Sequence, residues 1–388
     1  MTHPRTKTNI VMFWFMDDWG KYGRAYENIA RALAGRPEIG RVVCVLPPGT
    51  AAGRDYAWPV SFRHLSRKLV VLQQNTRPVP TLSAPYRLRR WINRKLPDAL
   101  FAGVLYCLGI RKKNTLLWLY PPHPYIDKLT GLVPHHGTVV QIVDNNAFLE
   151  SADDAYRDSV QEQYDRMVSQ ADRVIVSSEM NHSIFSAGHA HCYLFENAID
   201  STFLSQASPL PSQTAAVQPR LGYVGWITER TDTGLLLQLA KQRPAYRLVI
   251  AGPVVSADPD DIAELAALPN VDMPGDIPYS EVPELLRSFD VCLIPHIDTP
   301  YSKSMSPLKL FQYLGSGRPV VTTPVAGVDR WSELIYIAGD AAGFVAAIDN
   351  AIEAETPALA QARIAAVAAE TWENRIAQIL EIMPRGPG

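Results

Sequence analysis

The chain has 388 residues, 47% hydrophobic and 20% charged, with a net charge of −2. That is long enough for two ordinary domains and excludes a disordered polypeptide. No apolar run approaches the ~20 residues that cross a bilayer, and the N-terminus passes from a short polar lead into a strand-like run without a small-residue cleavage site. Neither a spanning helix nor a signal peptide is expected. The small net charge hides an asymmetry. Residues 1–143 hold 21 Lys and Arg against 7 Asp and Glu, a balance of +14, and the rest holds 16 against 32, a balance of −16. A basic first half implies an anionic partner. No recognisable nucleic-acid motif is present, which leaves an anionic membrane surface or an anionic acceptor. Cys44, Cys107, Cys192 and Cys292 have no C-x-x-C spacing and read as buried thiols in a reducing compartment.

In chain order, "NIVMFWFM", "RVVCVL", "TLLWLY", "TVVQIV" and "RVIVSS" are short apolar runs of the kind parallel strands need when both sheet faces are buried. Helical patterns at 24–35, 84–109 and 153–170 lie among them. The scheme repeats with "RLGYVGW", "RLVIAGP", "DVCLIPH" and "RPVVTT", separated by helices near 232–242, 258–268, 279–288 and 306–314. Such alternation predicts a doubly wound α/β architecture. Two series imply two Rossmann-like domains facing each other across a cleft. The first would occupy 1–200, an uncharged Ser/Pro/Gln/Ala linker 201–219, the second domain 220–365, and a closing segment 366–388. Ligands of such sheets lie beyond the carboxyl ends of the strands.

Those ends supply the candidate residues. The first strand runs into Asp17, Asp18, Gly20, Gly23 and Arg24, a strand-to-helix turn whose glycines allow close backbone approach to a ligand. It reads equally as a tight turn with capping carboxylates. It is not G-x-G-x-x-G, so a dinucleotide fingerprint is absent. "TVVQIV" ends at Asp144, placed either to act as a general base or to make an Asx turn. His123 sits on another strand-end loop and is a structural residue, an acceptor contact or a catalytic acid–base group. In the second half, Gly225 permits approach to a ligand, and Arg230 either reaches a phosphate or forms a solvated turn with Glu229.

The segment "SMSPLKLFQYLGSGRPVV" is the most informative. Ser306 and Pro307 suit a helix start, and Gly315 and Gly317 its end. Lys309 in the first turn is unfavourable against the helix dipole unless an anion sits nearby. An ammonium beside free backbone N–H groups suits a phosphate. Lys309, Gln312 and Ser316 share a face, while Leu308, Leu310, Phe311 and Leu314 supply the packing arc. The alternative makes the polar residues ordinary surface positions.

"SPLKLFQYLGSGRPVVTTPVAGV" resembles the nucleotide-sugar motif of GT-B glycosyltransferases, especially family 4 and the teichuronic-acid type enzymes. "ADRVIVSS", "LFENAID", "NVDMPGDIPYSEVPELLRSFDVCLIPH" and "TWENRIAQILEIM" are similar to other segments of that fold, in the same order, with 366–388 as the helix that crosses back. The resemblance covers about 170–325 and is weak over 1–140. It implies an enzyme that moves a sugar, hexosyl or glucuronosyl, from a nucleotide-diphosphate sugar, notably a UDP-sugar, to a glycan or lipid-linked acceptor in cell-surface polysaccharide synthesis. It implies no cofactor and no metal. Ser304, Met305, Ser306, Lys309, Gln312, Gly225 and Arg230 would hold the donor, and Gly20, Gly23 and Arg24 would lie on the acceptor side.

Where family 4 enzymes commonly carry two glutamates eight apart, this chain has Ser304 and Gln312. Its Lys-x-x-Gln-Tyr arrangement is similar to that of xanthan-type glucuronosyltransferases, inverting enzymes with a first-domain aspartate as base. That makes Asp144 the candidate base, with Asp17 or Asp18 behind it. Two alternatives are a nucleotide-sugar epimerase of the same fold and a non-catalytic nucleotide-sugar or glycan binder. Residues 84–113 interleave Arg87, Arg89, Arg90, Arg94 and Lys95 with Leu88, Trp91, Ile92 and Leu96. This pattern suits an interfacial helix on an anionic membrane, or a core-packed helix with a basic solvated face. With the basic first half, it leads to the expectation of a cytoplasmic protein, peripheral on the inner face of the cell membrane.

Overall fold

The computed structural model describes residues 7–49, 60–75, 86–205 and 218–384. The first sheet contains β1 (Thr8–Phe13), β2 (Ile39–Gly49), β3 (Val60–His64), β4 (Leu69–Asn75), β5 (Thr115–Leu119), β6 (Gly137–Ile142), β7 (Arg173–Val176) and β8 (Cys192–Leu194). Their order is β3-β4-β2-β1-β5-β6-β7-β8. All pairs are parallel except β3 with β4, which the sequence reading had not assigned as strands. The second sheet contains β9 (Arg220–Val224), β10 (Arg247–Ala251), β11 (Val271–Gly275), β12 (Val291–Ile294), β13 (Val320–Thr322) and β14 (Tyr336–Ile337). It is wholly parallel, in the order β11-β10-β9-β12-β13-β14.

Continuous apolar strands are explained by cores on both faces. Ile10 and Met12 of β1 enter one core with Tyr26 and Leu33, while Val11 and Phe13 enter the other with Phe101 and Tyr164. All four β1 side chains are at most 1% exposed. Full burial of such a side chain contributes about 1.5–3 kcal/mol. In the second domain Leu221 and Tyr223 face one core, Cys292 and Ile294 the other.

The order of strands locates the crevices. Winding from β1 goes one way through β2 and β4 and the other way through β5 to β8, so the first sheet switches direction between β1 and β5. The second switches between β9 and β12. Ligands bind outside the carboxyl ends at such points. The residues just beyond β1, β6, β9 and β12 are therefore the ones to inspect.

The chain crosses between domains twice, side by side. Ile199 donates its N–H to Glu370 O at 2.8 Å, and Trp372 donates back to Ile199 O at 3.1 Å. Beyond the second crossing, the Trp372–Ile382 helix buries Trp372, Ile376 and Ile379 in the first-domain core. The linker expected at 201–219 begins instead with the Ser201–Ser205 helix, whose Phe203 is already in the second-domain core. Residues 206–217 lie outside the described residues. The cysteines are free, and Cys44 and Cys292 are buried. Cys107 is exposed, contrary to expectation, because the Tyr86–Cys107 helix turns that face outward.

Candidate active site

A cavity of about 380 Å³ lies between the carboxyl ends of the two sheets. Arg24, Asp144, Gly225, Arg230, Met305, Ser306, Lys309 and Gln312, all selected from sequence, line it together. Trp14, Trp226, His296 and Tyr301 complete much of the wall.

The Leu308–Ser316 helix brings Lys309 there. Gly317 ends it at φ 77, the left-handed conformation that glycine adopts without a Cβ penalty. Its start differs from the expectation. Pro307 is the N-cap, and no side chain caps the first turn. Ser306 Oγ instead accepts the Asn197 N–H at 3.1 Å, and Ser306 O accepts Asn197 Nδ2 at 2.6 Å. Ser304 is fully buried and likewise bonded to the first domain, so it cannot touch a donor. Ser316 is also buried, donating to Tyr313 O at 2.7 Å.

Lys309 Nζ lies 3.3 Å from His296 Nε2 and 3.9 Å from the centroid of the Tyr223 ring. Burial pushes the ammonium below the usual lysine value, and the Arg230 guanidinium adds to this. His296 is held well below the ordinary imidazole value by burial and by both cations, so it is neutral and Nε2 can accept a hydrogen bond from the Lys309 ammonium. Burial pushes the Tyr223 phenol up, but Lys309 and Arg230 outweigh it and leave the net shift downward. Among the described residues, neither Lys309 nor Arg230 forms an ion pair with a carboxylate. Two buried or half-buried cations without a counter-ion are costly unless an anion occupies the site. Gly225, at φ 143, leaves room for this arrangement, since a Cβ there would stand 3.1 Å from Lys309 Nζ.

Asp144 follows β6 on the opposite wall. Burial raises its carboxyl above the ordinary aspartate value, and Arg230 and Arg24 partly oppose the rise. Asp18 does not share the cavity. It is buried, pairs with Arg24 Nε at 2.6 Å and accepts from Trp14 and Tyr26. Its role is to hold Arg24, whose guanidinium also lies 4.3 Å from the Trp226 ring across the cleft. Asp17 is exposed and off the cavity. His123 is a helix cap: its Nδ1 accepts the Tyr125 N–H at 3.2 Å, and it does not reach the site. Gly20 and Gly23 face a second cavity instead, and a Cβ on Gly23 would come within 2.3 Å of the Tyr279 ring. Gln312 and Tyr279 both line the main cavity.

Sequence reasoning missed His296, Tyr223 and Trp226. The available signal was the position of His296 just beyond β12 at the switch in strand order. That signal needs the order, which pairing rather than sequence determines. Among the described residues no group of three His, Cys, Asp or Glu is placed to hold a metal ion.

The fold is GT-B, two Rossmann-like domains facing each other across a cleft. It matches a trehalose-6-phosphate structure from E. coli bound with UDP-2-fluoro glucose at TM-score 0.67 and 12% identity, over 98% of this chain and 100% of that one. Anabaena Alr3699/HepE in complex with UDP and glucose matches at 0.63 and 16% identity, over 96% and 98%. Residues 230–381 match the Glycosyl transferase-like family. The chain resembles the teichuronic-acid type proteins in particular. It is 28% identical over 199 residues to TuaH of Bacillus subtilis (strain 168), described as a teichuronic acid biosynthesis glycosyltransferase. That match covers 48% of this chain and about half, 50%, of the relative.

Proposed function

We propose that this protein is a glycosyltransferase that moves a sugar from a nucleotide-diphosphate sugar, a UDP-sugar by preference, to an acceptor in cell-surface polysaccharide synthesis. The observation that carries this reading is the pair of cations, Lys309 and Arg230, lining an inter-domain cavity and, among the described residues, forming no ion pair with a carboxylate. The resemblance to TuaH and the UDP named with two structural neighbours support the donor class.

The chemistry follows from where charge develops. Asp144 takes the proton of the acceptor hydroxyl, whose oxygen forms a bond to the anomeric carbon. The bond from that carbon to the phosphate oxygen breaks, and its electron pair leaves with the nucleoside diphosphate. Lys309 and Arg230 stabilise the growing negative charge, a role fixed cations fill without a metal. A carboxyl raised above its ordinary value is a better base at neutral pH.

The acceptor in this reading is a glycan or lipid-linked chain, and the protein lies peripherally on the inner face of the cell membrane. Among the described residues, five of the ten exposed large apolar side chains, Phe62, Leu65, Leu96, Leu100 and Tyr106, fall on one stretch of the first domain. Exposed Arg63, Arg67, Lys95, Lys112 and Lys113 accompany them. The side chains of the basic run 86–94 lie outside the described residues. No helix of the described part is long and apolar enough to cross a membrane.

Incubation with labelled UDP-sugars and a membrane lipid extract tests the reading. Label should pass to extractable lipid or glycan only when acceptor is present. Conversion of the donor to an epimer without acceptor would support the epimerase alternative. Binding without turnover would support the non-catalytic one.

A further inference from the structure

Ser304 stands where the family pattern has its first glutamate, and it does something a glutamate on a donor would not. Its Oγ accepts the backbone N–H of Asn145 at 3.0 Å and donates to Tyr301 O at 2.7 Å. Its carbonyl accepts Ser178 Oγ and Asn181 Nδ2, both at 2.8 Å. Its N–H is used within its own turn. Every polar group of this fully buried residue is thus committed, and three of its bonds cross from the second domain to the first.

The partner loop is the one that carries Asp144. Ser177 Oγ donates to Val143 O, Tyr164 hydroxyl to Asp144 O at 3.2 Å, Asn146 N–H to that same hydroxyl at 3.1 Å, and Ala147 N–H to Asn145 Oδ1 at 3.1 Å. All those pins come from the first domain. The pin at Asn145 N–H comes instead from Ser304. On its other side Ser304 adjoins Met305, whose sulfur accepts Arg230 Nη1 at 3.4 Å, and the run to Lys309 follows directly.

We propose that Ser304 is a positioning residue that ties the loop bearing Asp144 to the segment bearing the donor-side cations, so that the base is presented in register with the donor. This rests on the reading of Asp144 as base. The Ser304 hydroxyl takes no part in proton transfer and touches no substrate.

The test uses Ser304→Ala, with Asn181→Ala as a second variant that loosens the carbonyl contact and keeps the Oγ bond. Three quantities are read: UDP affinity by calorimetry, turnover at saturating donor, and amide hydrogen exchange at Asn145. In Ser304→Ala the Asn145 amide should exchange at least ~10-fold faster, because a buried donor has lost its acceptor. Turnover should fall about 10-fold while UDP affinity stays within twofold. Asn181→Ala should lose less turnover than Ser304→Ala. Unchanged exchange, faster exchange with undiminished turnover, or equal loss of UDP affinity and turnover would each overturn the proposal. An active Asp144→Asn variant would instead remove the base reading, and the exchange readout separates that case, since it needs no turnover.

Discussion

Lys309 Nζ is 3.3 Å from His296 Nε2, so the cation that opens the donor-side helix is held by a neutral base rather than by a carboxylate. An anion arriving there meets an uncompensated charge, and without it the two groups carry a pH-dependent cost. Both folded-state values lie below the ordinary ones, with burial the first cause in each and Arg230 adding to both. Lys309 adds further to the shift at His296. The unfolded chain therefore binds more protons in each window, and stability rises with pH. For His296 the window runs from its depressed value up to the ordinary 6.5, so the protein loses stability as pH falls below about 6.5. His296→Gln should flatten that acid loss in melting curves taken at pH 5 and pH 7.5. A variant as acid-sensitive as the parent would contradict the assignment.

Asp144→Asn should lower turnover by roughly 10²–10⁴-fold, the usual worth of a general base, with UDP affinity unchanged. Because the Asp144 carboxyl is raised, turnover in the parent should fall as pH drops through a value above the ordinary aspartate range. Arg24 opposes that rise, so Arg24→Ala should move the acid limb to higher pH. A limb that stays fixed or moves down would show that the charge at Arg24 does not reach the base.

Gly23→Ala forces an L-residue to φ 59 and brings its Cβ within 2.3 Å of the Tyr279 ring in the opposite domain. Left-handed backbone alone costs roughly 1–2 kcal/mol for alanine. The denaturation midpoint should therefore fall, and turnover with it, because Tyr279 lines the same cavity as Lys309 and Gln312. An unchanged midpoint would mean that Gly23 and Tyr279 do not meet.

Lys112→Glu with Lys113→Glu should weaken binding to phosphatidylserine vesicles about 10-fold or more, at about 1 kcal/mol per basic residue near an anionic surface. Phe62→Ser should weaken it further, and 0.5 M salt should abolish the electrostatic part. No sedimentation of the parent with such vesicles at low salt would remove the membrane surface from the account.

The apolar strands were legible because burial on both faces leaves a continuous run, and the strand-end rule then pointed to Asp144, Gly225 and Arg230. Lys309 was legible because a cation in a first helical turn conflicts with local electrostatics. The resemblance ranked Asp144 ahead of Asp17 and Asp18, but strand-end position alone did not separate them. All follow strands, and only the fold turns Asp18 onto Arg24, Asp17 to solvent and Asp144 to the cavity. The resemblance made Ser304 and Ser306 donor contacts; Ser306 does line the cavity, while Ser304 is buried away from it. Their partners at Asn145, Ser178, Asn181 and Asn197 are more than 100 positions away in sequence. The edge strand β3 escaped notice because it is exposed and lacks an apolar run, whereas β4 carries the short buried run Leu69–Leu72, a signal that was present in the sequence.

The most direct measurement is a thermal-shift titration of the parent and Lys309→Ala with UDP, GDP, ADP and CMP. A nucleotide at 100 times its dissociation constant stabilises by about 2.7 kcal/mol, which is visible as a melting shift. The account predicts that UDP raises the melting temperature of the parent and does so much less in Lys309→Ala, whose turnover should be lower by about 10²-fold or more. No shift with any nucleotide, or an equal shift in both proteins, would contradict it.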